Sequence, residues 1–224
     1  MRMSTWIRAA AVVATLAAVG RLDLHTAAQT GKWTAEMAAF EAQDRADPAV
    51  GGIVFVGSSS IRLWDLARSF PGAKALNRGF GGSEITDSVN HVDVLVLRHQ
   101  PRTVIFYAGD NDIAAGKTPQ QVADAFKAFA SRVRAALPET RMAFVGIKPS
   151  IQRWAMIAQV RQANQLIRAY CDADDRLAFI DVDGPMLGWD AKPRKELFVE
   201  DGLHLSPRGY ELWTTLVQPE YAAV

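Results

Sequence analysis

Three consecutive serines, Ser58 to Ser60, stand where a run of apolar β-formers, IVFVG, comes to an end. A serine hydroxyl acts as a nucleophile when a base takes its proton, a third group orients that base, and donors await the oxyanion. Near the other end of the chain, EDGLHLSPRGYELW places Asp201 and His204 three residues apart. One helical turn brings positions i and i+3 to the same face. Asp201 can then accept the Nδ1 proton of His204 and leave Nε2 free to take a proton from a serine. A helix start just beyond His204 disfavours imidazolium and helps to keep the base neutral. Taken alone, an Asp-x-x-His is more often a capped turn beside a surface histidine.

Donors are available in two further stretches. NRGFGGSEITD contains glycines, which let a backbone N–H approach a ligand closely. YAGDND supplies the side-chain amide of Asn111. Each is a weak signal by itself. The glycine-rich stretch does not complete G-x-G-x-x-G, because Glu84 occupies the last position. No Walker A sequence occurs, nor the G-x-S-x-G of a nucleophile elbow. At this point any one of the three serines can be the nucleophile.

The elements that must position these residues alternate between strand and helix. Short runs rich in Val, Ile and Phe predict strands at 53–57, 74–79, 103–109, 141–147 and 177–182, covered on both faces as in a parallel sheet. Thr118 as N-cap and Pro119 at the first helical position open a helix that Pro138 closes. Val122, Phe126, Phe129 and Val133 give it one apolar face. Further helices are predicted over GKWTAEMAAFEAQDRAD, over roughly Ile151 to Ala173, and from Ser206-Pro207 onward. Five such strands and their helices predict one α/β domain, a three-layer α/β/α sandwich. Right-handed crossovers favour the flavodoxin-like order 2-1-3-4-5. Ligands in such sheets bind beyond the strands' carboxyl ends, where the winding reverses. The serine cluster and Asn111 fall on that crevice.

The rest of the chain narrows the class. Its 224 residues, 49% hydrophobic, suit one sizeable core. A net charge of +1 with scattered basic residues offers no nucleic-acid footprint. Cys171 is the only cysteine, so no intrachain disulfide forms, and its place late in a helix predicts a buried, inert thiol. One Cys and four His give no zinc spacing, and no metal or cofactor is expected. His91 and His99 are read as surface residues flanking a helix, and His25 lies near the N-terminus. Residues 1–28 carry Arg2 and Arg8, the apolar run AAAVVATLAAVG and a small-residue stretch, the order of a secretory signal. The run is shorter than the ~20 residues of a membrane span. Cleavage after Ala28 and a secreted or periplasmic protein, with no stable membrane insertion, are therefore expected.

Four stretches in chain order resemble the SGNH (GDSL) hydrolase family. FVGSSSIRLW resembles its first block, a strand followed by Gly-Asp-Ser, and NRGFGGSEITD is similar to the second. YAGDNDI resembles the Gly-x-Asn-Asp block and DGLHLSPRGY the Asp-x-x-His block. The resemblance implies that Ser59, second after Gly57, is the nucleophile, with His204 as base and Asp201 as its orienter. It implies an oxyanion hole of the Ser59 N–H, the Gly82 N–H and the Asn111 amide. Ser58 stands where the family has Asp. Ser58 and Ser60 then serve the turn and the helix start. Ser150, Arg153 and Trp154, in GIKPSIQRW after strand 4, are candidates for a substrate wall, with packing of Trp154 against the sheet as the alternative.

The expected activity is hydrolysis of carboxylic esters through an acyl-enzyme. Short acyl groups are favoured, such as acetyl esters of carbohydrates or small molecules, with lysophospholipid-type esters also within the family's range. The alternatives are a non-catalytic module that holds a glycan or acyl group on the same fold, and a flavodoxin-like cofactor binder.

Overall fold

A computed structural model describes residues 31–222. The expected signal at 1–28 lies outside the described residues. The five strands are β1 (Ile53–Gly57), β2 (Ala75–Gly79), β3 (Thr103–Tyr107), β4 (Arg141–Val145) and β5 (Leu177–Ile180). All pair in parallel, in the order β2-β1-β3-β4-β5. This is the expected doubly wound order. Winding reverses between β1 and β3.

Alternate residues of each strand feed two separate cores, as the period of two requires. Val54, Val56, Val104, Phe106, Met142 and Phe144 point to one side. They meet α1 (Thr34–Ala46), α4 (Ile85–Asn90), α5 (Val92–Leu95), α7 (Pro119–Ala136) and α8 (Ile157–Cys171). Ile53, Phe55, Ile105, Tyr107, Ala143 and Val145 point to the other. They meet α2 (Ser59–Arg62), α3 (Leu66–Ser69) and α9 (Pro207–Ala222). A further short helix, α6 (Asp110–Ala114), follows β3. The three inner strands are buried almost throughout, whereas the edge strands β2 and β5 are half-buried in part.

The capping signals of α7 hold. Thr118 Oγ1 accepts from the Gln121 N–H at 3.2 Å and Gln121 Oε1 accepts from the Thr118 N–H at 2.8 Å, a complete capping box. Ser206 caps α9, its Oγ accepting from the Gly209 N–H at 3.2 Å. Cys171 is buried, and that burial pushes its thiol up to about 12.

Two expectations need correction. The helix expected from Ile151 begins only at Ile157, after a 3-10 turn at Trp154–Met156. Residues before it make tertiary bonds instead: the Gln152 N–H donates to Gly202 O at 3.0 Å. His99 is not a surface residue. It is 3% exposed, with Nδ1 at 3.1 Å from Ala49 O and Nε2 at 3.2 Å from Val94 O. It joins the segment before β1 to α5, and no periodic pattern marks such a role.

Candidate active site

The site begins at Gly57. Its φ is +147°, and a Cβ there would stand 1.8 Å from Tyr107 O. Only glycine lets the chain leave β1 this close to β3, where the Ser58 N–H donates to Tyr107 O at 3.0 Å. The chain turns at once into α2. Asn77 on β2 holds that helix in place. Its Nδ2 donates to Ile61 O at 2.7 Å and to Trp64 O at 3.2 Å, while its Oδ1 accepts from the Gly79 N–H at 2.9 Å.

The turn gives the three serines three different surroundings. Ser58 is fully buried, and its Oγ has no hydrogen-bond partner among the described residues. Ser60 is also fully buried, its Oγ accepting from Lys148 Nζ at 3.2 Å and its carbonyl from Tyr210 Oη at 3.0 Å. Ser59 alone of the three lines an open cleft of about 550 Å³. Its Oγ lies 3.0 Å from His204 Nε2.

His204 sits on a loop between β5 and α9, pinned by antiparallel pairing of Phe198 with Leu205. Asp201 orients the ring, with Oδ2 at 2.6 Å from Nδ1. The other carboxylate oxygen accepts from the Leu203 N–H at 2.8 Å and the His204 N–H at 2.9 Å. The hydrogen bond from the His204 ring, followed by those from the backbone, holds the Asp201 carboxyl down to about 2. The carboxylate therefore favours an Nδ1–H tautomer, which turns the Nε2 lone pair toward Ser59.

Gly82 and Asn111 line the same cleft. Among the described residues, neither the Ser59 nor the Gly82 backbone N–H donates to a protein acceptor. Asn111 Nδ2 donates to Ser83 O at 2.9 Å, and its Oδ1 accepts from Arg153 Nη2 at 2.9 Å. Arg62, Glu36, Ala39, Phe40 and Leu203 complete much of the wall.

The candidates in GIKPSIQRW take separate places. Arg153 reaches Asn111 and Asp110. Ser150 is buried at 3% exposure and does not line the cleft. Trp154 does not line it either; its ring lies 4.8 Å from Lys192 Nζ and 5.8 Å from the Arg161 guanidinium.

Three contributors escape the sequence reading. Asp112, fully buried, accepts from the Ile85 N–H at 3.1 Å and from Lys117 Nζ at 2.8 Å, tying the glycine-rich loop to α6. Asn164 brackets Ile147, accepting from its N–H at 2.8 Å and donating to its carbonyl at 2.9 Å. That bracket fixes the neighbouring Lys148, which is 2% exposed and donates to Asp110 Oδ2 at 3.0 Å and Tyr107 Oη at 2.8 Å. Burial pulls the Lys148 ammonium below its ordinary value against the opposing effect of Asp110. Burial also acts to raise Asp110, but Lys148 and Arg153 outweigh it and leave the carboxyl below its ordinary value. The D-N-D triplet and the lone lysine after an apolar strand are visible signals, but only tertiary contact shows what they hold.

A parallel sheet with Ser, Gly, Asn and Asp-x-x-His gathered at its carboxyl edge defines an SGNH-type hydrolase of ester bonds. The pattern of the GDSL-like lipase/acylhydrolase family matches residues 59–212, and the chain belongs to that family. It is 30% identical over 165 residues to the platelet-activating factor acetylhydrolase IB subunit alpha1 of Homo sapiens, covering 70% of each chain. Among solved structures, a GDSL-like lipase from Bacteroides thetaiotaomicron superposes with a TM-score of 0.72 at 18% identity, over 84% of this chain and 97% of that one. An acetyl esterase bound to acetate superposes with a TM-score of 0.61 at 16% identity, over 78% and 97% of the two chains. These two likenesses speak to the fold.

Proposed function

We propose that this chain is a serine esterase that cleaves short-acyl carboxylic esters through an acyl-enzyme. The observation that carries the reading is the hydrogen-bonded chain Ser59–His204–Asp201 opening onto a cleft with three unused or partly unused donors. Ser59 Oγ attacks the substrate carbonyl as His204 Nε2 takes its proton. The carbonyl oxygen becomes an oxyanion facing the Ser59 and Gly82 N–H groups and the Asn111 amide. The imidazolium then gives its proton to the leaving alcohol. The C–O bond breaks and the acyl group stays on Ser59. Water, deprotonated by His204, attacks the acyl-enzyme and releases the acid.

An open cleft whose apolar wall is formed by residues such as Ala39, Phe40 and Leu203 suits a small acyl group. The acetylhydrolase name carried by the human relative supports the same preference. The substrate is then a small-molecule, carbohydrate or lipid ester. Export by the expected signal at residues 1–28 completes the reading. Cleavage after Ala28 would leave α1, which supplies Glu36, Ala39 and Phe40 to the cleft, in the mature chain. No helix among the described residues is long and apolar enough to cross a membrane.

The test is hydrolysis of p-nitrophenyl esters from acetate to decanoate, with Ser59→Ala alongside. We expect acetate or butyrate to be preferred and turnover to vanish in Ser59→Ala, along with fluorophosphonate labelling. An optimum at eight carbons or more would overturn the short-acyl preference. Equal background rates and no labelling of either protein would favour a binding module.

A further inference from the structure

We infer that Arg153, paired with the Asp110 that Lys148 also holds, is the positioning residue that sets the Asn111 amide as an oxyanion donor. The inference rests on the esterase reading above and adds a residue to it. A side-chain amide is an ambiguous donor, because a half-turn exchanges its NH2 for its carbonyl oxygen with little change of shape. Only the NH2 end stabilises an oxyanion. Two contacts decide the orientation. A guanidinium only donates, so Arg153 Nη2 takes the amide oxygen at 2.9 Å. A backbone carbonyl only accepts, so Ser83 O takes the amide nitrogen at 2.9 Å. Turned the other way, the amide would set donor against donor at Arg153 and acceptor against acceptor at Ser83. In the observed setting one Nδ2 hydrogen goes to Ser83. The second is left for the cleft that Asn111 lines.

Arg153 is itself held. Its Nη1 lies 3.1 Å from Asp110 Oδ2, and the Arg153 side chain is 18% exposed. Asp110 Oδ2 also takes Lys148 Nζ at 3.0 Å, and its Oδ1 accepts from the Asn111 N–H at 3.1 Å. Lys148 reaches on to Ser60, next to the nucleophile, at 3.2 Å. One array, buried at Lys148 and Asp110 and partly buried at Arg153, thus connects the serine turn, the end of β3 and the oxyanion donor. The planar fork of Arg153 donates from Nη2 to Asn111 and sets Nη1 against Asp110 as an ion pair, outside hydrogen-bond geometry. A lysine ammonium reaching the same place cannot reproduce both arms in that fixed geometry.

The experiment is a double-mutant cycle on p-nitrophenyl acetate with Arg153→Met, Asn111→Ala and the pair, and with Arg153→Lys as the conservative variant. Losing an oxyanion donor costs ~10²–10³ in kcat, so Arg153→Met should lose about 10–10²-fold in kcat with KM changed by less than about twofold. Arg153→Lys should fall between Arg153→Met and wild type. In the Asn111→Ala background no donor remains to be oriented, and Arg153→Met should then cost less than about twofold. A loss equally large in both backgrounds would overturn the inference. So would a raised KM at unchanged kcat, which would mark Arg153 as a substrate contact. If Arg153→Met does not fold, Arg153→Gln, which still offers a donor of its own, enters the same cycle. Ser59→Ala is measured beside them. A wild-type rate no higher than that of Ser59→Ala would overturn the esterase reading and this inference with it. Genuine wild-type turnover with additive losses would overturn the positioning role alone.

Discussion

Asp201 and His204 show how three residues of sequence become a hydrogen-bonded pair. Asp201 binds the ring with one carboxylate oxygen and the loop backbone with the other, so the imidazole has little freedom to turn. Because these bonds hold the carboxyl down to about 2, Asp201 is ionised across any practical assay range. We expect kcat/KM to show no limb from this carboxyl at its ordinary range, about pH 4. A limb at about pH 4 would contradict the hold on Asp201. Asp201→Asn should keep the loop but lose the tautomer preference, lowering kcat by as much as ~10⁴-fold. Retained rate in that variant would remove Asp201 from the mechanism.

Two glycines make the contrast at the scale of elements. Gly57 ends β1 where any Cβ would meet Tyr107 O at 1.8 Å, so Gly57→Ala must push β1 and β3 apart at the entrance to α2. We expect a loss beyond about 4 kcal/mol, read as failure to fold or a collapse in urea midpoint. Gly82 has φ +81°, but a Cβ there meets nothing within 4 Å. Gly82→Ala should therefore cost only about 1–2 kcal/mol of backbone strain and still fold. Similar stabilities for the two variants would show that the close approach at Gly57 is relieved cheaply. The element-level signals that were legible in sequence were of this local kind: Thr118-Pro119 opening α7, and Ser206-Pro207 opening α9. The start of α8 was not legible, because Gln152 and Arg153 bond to the site loops and not to the helix ladder.

At the scale of the molecule, three segments of the site meet in one core of the sheet. α9 follows the His204 loop, and Trp213 on that helix is fully buried against Tyr107 and Trp64, with ring centroids at 4.8 and 5.7 Å. Tyr107 ends the strand that leads to Asn111, and Trp64 follows the Ser58–Ser60 turn. Trp213 thus packs together the three segments that carry His204, Asn111 and Ser59. Trp213→Ala should cost about 3–5 kcal/mol, lowering the melting temperature by roughly 6–20 °C. A melting temperature within about 2 °C of wild type would show that the helix docks by other contacts.

The order of the elements, the family and the residue types of the site were legible in the sequence by itself. Strand runs of Val, Ile and Phe, caps, and the spacing of Asp201 and His204 are local patterns, set by backbone geometry and burial over a few residues. The resemblance then selected Ser59 from three neighbouring serines on spacing alone. What the tertiary structure decided is which groups meet across long stretches of chain. Ser59 and His204, separated by 145 positions, come within 3.0 Å because the sheet order sets both at one edge. His99 became a buried joint between α5 and the segment before β1, and Trp154 did not come to line the cleft. Lys148 and Asp110 became a buried pair, tied to Asn111 through the partly buried Arg153. A charged residue in a sequence carries no mark of its partner. Burying it away from water is so costly that only a completed set of contacts allows it, and those contacts exist only once the strands have been laid side by side.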